Sequence, residues 1–249
     1  MKTIEQLKVQ IYADGADFDT MLRLHKNPLI KGFTTNPSLM RSAGVESYEH
    51  FARELLAHIE DRPVSFEVFA DDIDDMIAQA KEIASWGENV YVKLPVTNTR
   101  GEFVGQAIEE LSGQGVKLNV TALMTAEQVA RVLKVLDPDT PAIISVFAGR
   151  IADTGVDPKP VMKACKALMA SHPKAELLWA STRELLNVFE AEECESSIIT
   201  VTSNIIDKFG IVNKDLYEYS LETVQMFFND AQKSGYTLNT EREKIVKAA

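Results

Sequence analysis

A lysine stands inside an apolar run at residues 90–96, Val-Tyr-Val-Lys-Leu-Pro-Val, within the longer stretch VYVKLPVTNTR. A run this rich in β-branched residues reads as a strand buried on both faces. Side chains alternate, so Tyr91, Lys93 and Pro95 share one face while Val90, Val92 and Leu94 share the other. A buried ammonium loses its water shell, which favours the free amine that attacks a carbonyl. A lysine so placed also reads as an edge-strand residue in solvent, or as one half of a buried ion pair. The neighbouring strands shift the balance.

Polar residues interrupt those strands near their carboxyl ends. Asp14 ends a first strand at 9–14, Asn36 follows a second at 32–35, and Glu67 lies near the end of a third at 64–68. Asn119 and Thr121 share a face of a fifth at 116–120, and Ser145 alternates with Ile144 and Val146 in a sixth at 142–147. Ser181 closes a seventh at 177–180, with Arg183 just beyond. Singly each has an ordinary explanation: Asp14 and Ser181 as helix caps, Asn36 as a turn residue before Pro37, Ser145 as a satisfied core hydroxyl. Together they predict one polar mouth, because burying so many polar groups is costly unless they serve one another or a ligand.

The chemistry follows from the residue types. A free Lys93 amine adds to a ketone, giving a carbinolamine and then an iminium that draws electrons from an adjacent carbon–carbon bond. Glu67 and Asp14 are the carboxylates placed to move the protons, directly or through water. Two acids beside a lysine also favour its charged form, opposing desolvation. Arg150 and Arg183, with Ser145 and Ser181, suit a phosphate at the far end of a sugar, although each arginine also reads as a surface ion pair.

The elements that must hold these residues alternate between short apolar strands and amphipathic helices, as parallel β/α units do. Besides the strands above, 90–94 and 197–201 read as the fourth and eighth. Helical text covers 17–25, 47–59, 72–86, 102–111, 126–136, a segment from 158, 183–191 and 204–209. Eight units predict a single-domain α/β fold, a (β/α)8 TIM barrel over about residues 8–212. Residues 221–236 add an amphipathic helix with Leu221, Val224, Phe227, Phe228 and Ala231 near one face, in a C-terminal extension over about 215–240.

A net charge of −11 argues against broad nucleic-acid binding, while an anionic small substrate needs only two or three local cations. Cys165 and Cys194 are too few for a disulfide scaffold, and His25, His50, His58 and His172 are scattered, so no metal site is expected. No run of about 18 apolar residues and no signal core occurs, so the reading is a soluble cytoplasmic protein with no membrane partner.

These residues also fall into recognisable motifs. GFTTNPSLM at 32–40, the YVKLP segment around Lys93, YADGAD around Asp14, FEVFADD around Glu67, LNVTAL at 118–123, SVFAGRI at 145–151 and ASTR at 180–183 together resemble the transaldolase family. The resemblance implies that Lys93 forms the Schiff base, Asp14 transfers protons, Glu67 works with a catalytic water and Thr121 positions it. It implies substrate contacts at Thr34, Asn36, Asn119 and Phe147, phosphate contacts at Ser145, Arg150, Ser181 and Arg183, and no cofactor. It further implies sugar-phosphate substrates, the pentose phosphate pathway and a homo-oligomer. Glu67 and Phe147 resemble the transaldolase subgroup, since the fructose-6-phosphate aldolases typically carry glutamine and tyrosine there. The alternatives are therefore an aldolase releasing free dihydroxyacetone, or a non-catalytic sugar-phosphate binding protein.

Overall fold

In the computed structural model, which describes residues 2–238, eight parallel strands close into a barrel in sequence order. The elements are β1 (Gln10–Asp14), α1 (Phe18–His25), β2 (Ile30–Thr34), α2 (Pro37–Ser42), α3 (Tyr48–Leu56), β3 (Val64–Glu67), α4 (Ile73–Ala84) and β4 (Val90–Pro95). There follow α5 (Gly105–Gly113), β5 (Leu118–Leu123), α6 (Ala126–Leu133), β6 (Ala142–Val146), α7 (Ala148–Asp153), α8 (Lys159–Leu168), β7 (Ala175–Trp179), α9 (Leu186–Glu193), β8 (Ile198–Thr202) and α10 (Ser203–Ile206). β1 pairs with β8 from Gln10↔Ile198 to Asp14↔Thr202, so no sheet edge is left open.

The strand alternation sorts the side chains into two layers. Val92 and Leu94 of β4, Phe66 of β3 and Trp179 of β7 are fully buried on the outward face, where apolar helix positions such as Leu55, Ile108 and Val129 also lie buried. Inside the barrel, Tyr12, Ile143, Leu178, Ala180 and Ile198 form a cluster that Tyr91 and Phe147 join. Tyr12 is the largest member, and it fits because β2 carries Gly32 opposite. A Cβ at Gly32 would stand 2.6 Å from the Tyr12 ring.

The helices begin where the sequence supplies caps. Asp17 accepts from Thr20 N–H, Asp72 from Asp74 N–H, and Thr125 forms a reciprocal capping box with Gln128. Three departures from the periodicity have local causes. Asn36-Pro37 does not merely turn the chain: Asn36 caps α2 and Pro37 occupies its first turn. β5 starts two residues late because Val116 N–H returns to Leu111 O, closing α5 around Gly115 at φ +81. α9 also starts late, since the Asn187 side chain accepts from the N–H groups of both Arg183 and Glu184. α7, six residues long, is too short to show a period.

The described chain falls into two compact units, Lys2–Gly210 and residues 211–238. The second contains α11 (Leu216–Lys233), capped by Asp215, with Leu221, Val224, Phe227 and Phe228 each more than half exposed. Residues 239 and 240 of the expected extension lie outside the described residues. No helix among the described residues is long and apolar enough to cross a membrane.

The contact beneath the barrel mouth gives a direct check. Gly32→Ala should lower unfolding free energy by about 1–3 kcal/mol, the usual range for overpacking. In a Tyr12→Leu background the same change should cost less, as measured by denaturant unfolding of the four proteins.

Candidate active site

The register of three adjacent strands places the reactive groups. Glu67 of β3 pairs with Lys93 of β4, and Lys93 with Asn119 of β5. All three line the barrel interior. Lys93 is only 7% exposed, and its Nζ lies 3.0 Å from Glu67 Oε2 while donating to the Thr35 carbonyl at 2.6 Å. The amine is thus withdrawn from water but not left without partners.

Asp14 ends β1 on the same interior face, and the Thr34 hydroxyl donates to its Oδ1 at 2.8 Å. The Thr34 and Thr200 hydroxyls are 2.5 Å apart. Since Thr34 gives its one proton to Asp14, Thr200 must be the donor of that second bond. Burial raises the Asp14 carboxyl above the ordinary aspartate range, with Glu67 adding to the effect and with Lys93 and the Thr34 hydrogen bond opposing it. A second chain crosses the floor: Ser145 donates to Asn119 Oδ1 at 2.6 Å, and Asn119 Nδ2 donates to Ser65 Oγ at 3.0 Å.

Two backbone irregularities shape the rim. β5 bulges after Val120, with Ala122 at φ +62, re-aiming Thr121. The Thr121 hydroxyl is buried and has no hydrogen-bond partner among the described residues. Ser181 adopts φ +65, and Gly149 of α7 presses against it so closely that a Cβ there would fall 1.6 Å from the Ser181 carbonyl oxygen. Only glycine fits between those two rim segments.

The result is a cavity of about 540 Å³ at the carboxyl ends of the strands. It brings together Lys93, Asp14, Glu67, Thr121, Thr34, Asn36, Asn119, Ser145, Phe147, Arg150 and Ser181. Asn36 does double duty, since its side chain also caps α2 through Leu39 N–H at 3.0 Å. The Arg150 guanidinium sits 5.4 Å from the Phe147 ring centroid. Arg183 is not brought to this wall. Its Nε and Nη2 donate to the two Asp153 oxygens at 2.9 and 2.5 Å, a bidentate pair that holds the Asp153 carboxyl below its usual range. Among the described residues no three His, Cys, Asp or Glu side chains gather as metal ligands would.

Thr200, which is not among the polar interruptions named above, also lines the cavity. Its signal was present: one hydroxyl between Ile199 and Val201, the same interruption that marks Ser145. Ser65, which holds Asn119 from below, was equally legible between Val64 and Phe66.

A dry amine facing a carboxylate at the carboxyl-terminal mouth of a barrel can be set beside known proteins. Residues 11–248 match the Transaldolase/Fructose-6-phosphate aldolase family. The chain belongs to that family. A "Probable transaldolase" of Methanococcus maripaludis (strain C7 / ATCC BAA-1331) is 30% identical over 215 residues, 86% of this chain and 94% of the relative. A "Probable transaldolase 2" of Listeria monocytogenes serovar 1/2a is 31% identical over 201 residues, 80% of this chain and 88% of the relative. The crystal structure of KGPDC from Streptococcus mutans aligns with a TM-score of 0.54 at 10% identity, covering 81% of this chain and 91% of that one, a likeness of fold alone. This is a transaldolase-family enzyme with a (β/α)8 barrel.

The shift at Asp14 yields a stability prediction with a definite sign. Its folded carboxyl is raised, so the ionised form destabilises the fold, fully above the folded value and not at all below the unfolded one of about 3.9. Asp14→Asn keeps an oxygen for Thr34 and removes the charge. It should therefore be more stable than the parent at neutral pH, with the gain fading as pH falls and gone below about 3.9. Denaturant unfolding across that range is the measurement, and a pH-independent gain would contradict the buried-charge account.

Proposed function

We propose that this enzyme is a transaldolase in the strict sense, passing a dihydroxyacetone unit from a ketose phosphate to an aldose phosphate through a Schiff base on Lys93. The donor is fructose 6-phosphate or sedoheptulose 7-phosphate, within the pentose phosphate pathway. The observation that carries the reading is the position of Lys93 Nζ, buried, 3.0 Å from Glu67 and in one cavity with Asp14.

The amine adds to the donor ketone and forms a carbinolamine. Glu67, acting with a water, moves the protons that let hydroxide leave as water and an iminium form. Asp14 then takes the proton of the hydroxyl on the leaving carbon, the far carbon of the bond to be broken. That oxygen becomes the aldehyde carbonyl, and the electrons of the broken carbon–carbon bond pass to the iminium, giving an enamine. Attack of the enamine on a new aldehyde reverses the steps, with Asp14 returning its proton to the new hydroxyl. Hydrolysis of the resulting imine frees the product.

The remaining groups support the same reading. Asn119, fixed between Ser65 and Ser145, offers a rigid amide to the sugar hydroxyls. The unpartnered Thr121 hydroxyl suits a water held near the imine. Arg150, with Ser145 and Ser181 on the same wall, suits the phosphate end. Because its fork is already bound to Asp153, Arg183 is assigned no part in that contact.

The donor/acceptor assay tests this directly. With fructose 6-phosphate and erythrose 4-phosphate together the enzyme should form sedoheptulose 7-phosphate and glyceraldehyde 3-phosphate. Without acceptor it should release free dihydroxyacetone far more slowly. Lys93→Met should reduce transfer by at least about 1,000-fold, the scale expected when a covalent nucleophile is lost. Rapid dihydroxyacetone release without acceptor would overturn the transferase assignment in favour of cleavage.

A further inference from the structure

The parallel ladder between β2 and β3 is short. It comprises Phe33↔Val64 and Thr34↔Ser65, and ends with Thr35 N–H donating to the Ser65 carbonyl at 3.1 Å. The β2 chain then turns away, because Asn36 and Pro37 begin α2. In a strand, successive residues present their backbone groups to alternate neighbours. Ser65 faces β2, and Val68 N–H reaches the Lys93 carbonyl on β4, so Glu67 faces the side that β2 has left. Glu67 carries the carboxylate 3.0 Å from Lys93, yet its own backbone has lost its ladder partner.

Tyr48, the first residue of α3, occupies that gap. Its hydroxyl donates to the Glu67 carbonyl at 2.8 Å and accepts from the Glu67 N–H at 2.7 Å. One phenol thus makes both bonds that a neighbouring strand would have made. Edge-on contacts hold the ring to Phe66 at 6.3 Å and Phe69 at 5.6 Å, and Trp86 lies against it at 5.9 Å. Burial pushes the phenol well above the ordinary tyrosine range, so the hydroxyl keeps the proton it donates. The Tyr48 side chain lies outside the cavity wall.

We propose that Tyr48 is a positioning residue: its hydroxyl stands in for the missing strand and fixes the Glu67 backbone, and through it the carboxylate facing Lys93. The inference rests on the transfer chemistry above, in which Glu67 moves protons at the carbinolamine. A carboxylate displaced by a fraction of an ångström loses proton transfer before it loses substrate, so the effect belongs on kcat rather than KM.

The experiment compares parent, Tyr48→Phe, Glu67→Gln and the double variant in the transfer assay, with active sites counted so that lost protein is not read as lost rate. Phe69→Ala, which loosens the same aromatic cluster without touching the phenol, is the structural control. Tyr48→Phe should lower kcat by about 10- to 100-fold, with KM within about 3-fold. In the Glu67→Gln background it should change kcat by less than about 3-fold, since the group it positions is already gone. Amide exchange in the β3 peptide should quicken, and Phe69→Ala should lower the melting temperature while leaving kcat unchanged. Independent, multiplying effects of the two substitutions would overturn the proposal, as would an unchanged kcat in Tyr48→Phe or an equal loss in Phe69→Ala. A parent without transfer activity would overturn the functional reading and this inference with it. An active parent matched by Tyr48→Phe would overturn this inference alone.

Discussion

The pair between Lys93 and Glu67, 3.0 Å long and largely shielded from water, is the contact that the rest of the barrel must support. Charges and polar groups taken out of water are tolerated only when they are paired and hydrogen-bonded. The closed barrel meets that condition with short chains of neutral donors. Thr200 and Thr34 lead to Asp14, and Ser145, Asn119 and Ser65 cross the floor. The Thr35 carbonyl accepts a hydrogen bond from Lys93. Below them Tyr12 and its apolar neighbours fill the interior and exclude solvent. Dryness and polar satisfaction therefore come from successive levels of the same inward-facing strand positions.

The rim obeys a different constraint, set by the backbone. Gly149 lets α7 approach Ser181, whose left-handed φ turns the chain out of β7. The bulge in β5 turns Thr121 into the cavity at the loss of regular pairing there. Strained residues of this kind concentrate where a site must be held in shape, and here both border the same mouth. Arg150 lies in the same short helix, next to Gly149, and lines the cavity.

Much of this was legible from residue order. Alternation in eight apolar runs predicts a parallel barrel, and polar residues at the ends of those runs predict its working face. Lys93, Glu67 and Asn119 meet because strands of adjacent units pair in register, a regularity that spacing alone expresses. What stayed hidden depends on contacts between distant segments. Nothing near Arg183 announces that Asp153, at the end of α7, takes its guanidinium. Nothing in the helical text around Tyr48 announces a phenol that completes a strand. The short α2 and α7 escaped because a helix of six residues has no period to detect.

In the proposed transfer all of the chemistry passes through one nitrogen, and trapping it is the most direct measurement. Treating the enzyme with fructose 6-phosphate and borohydride should reduce the imine and leave a dihydroxyacetone-derived mass on the peptide containing Lys93. An unmodified Lys93 peptide, or the added mass on another lysine, would contradict the account.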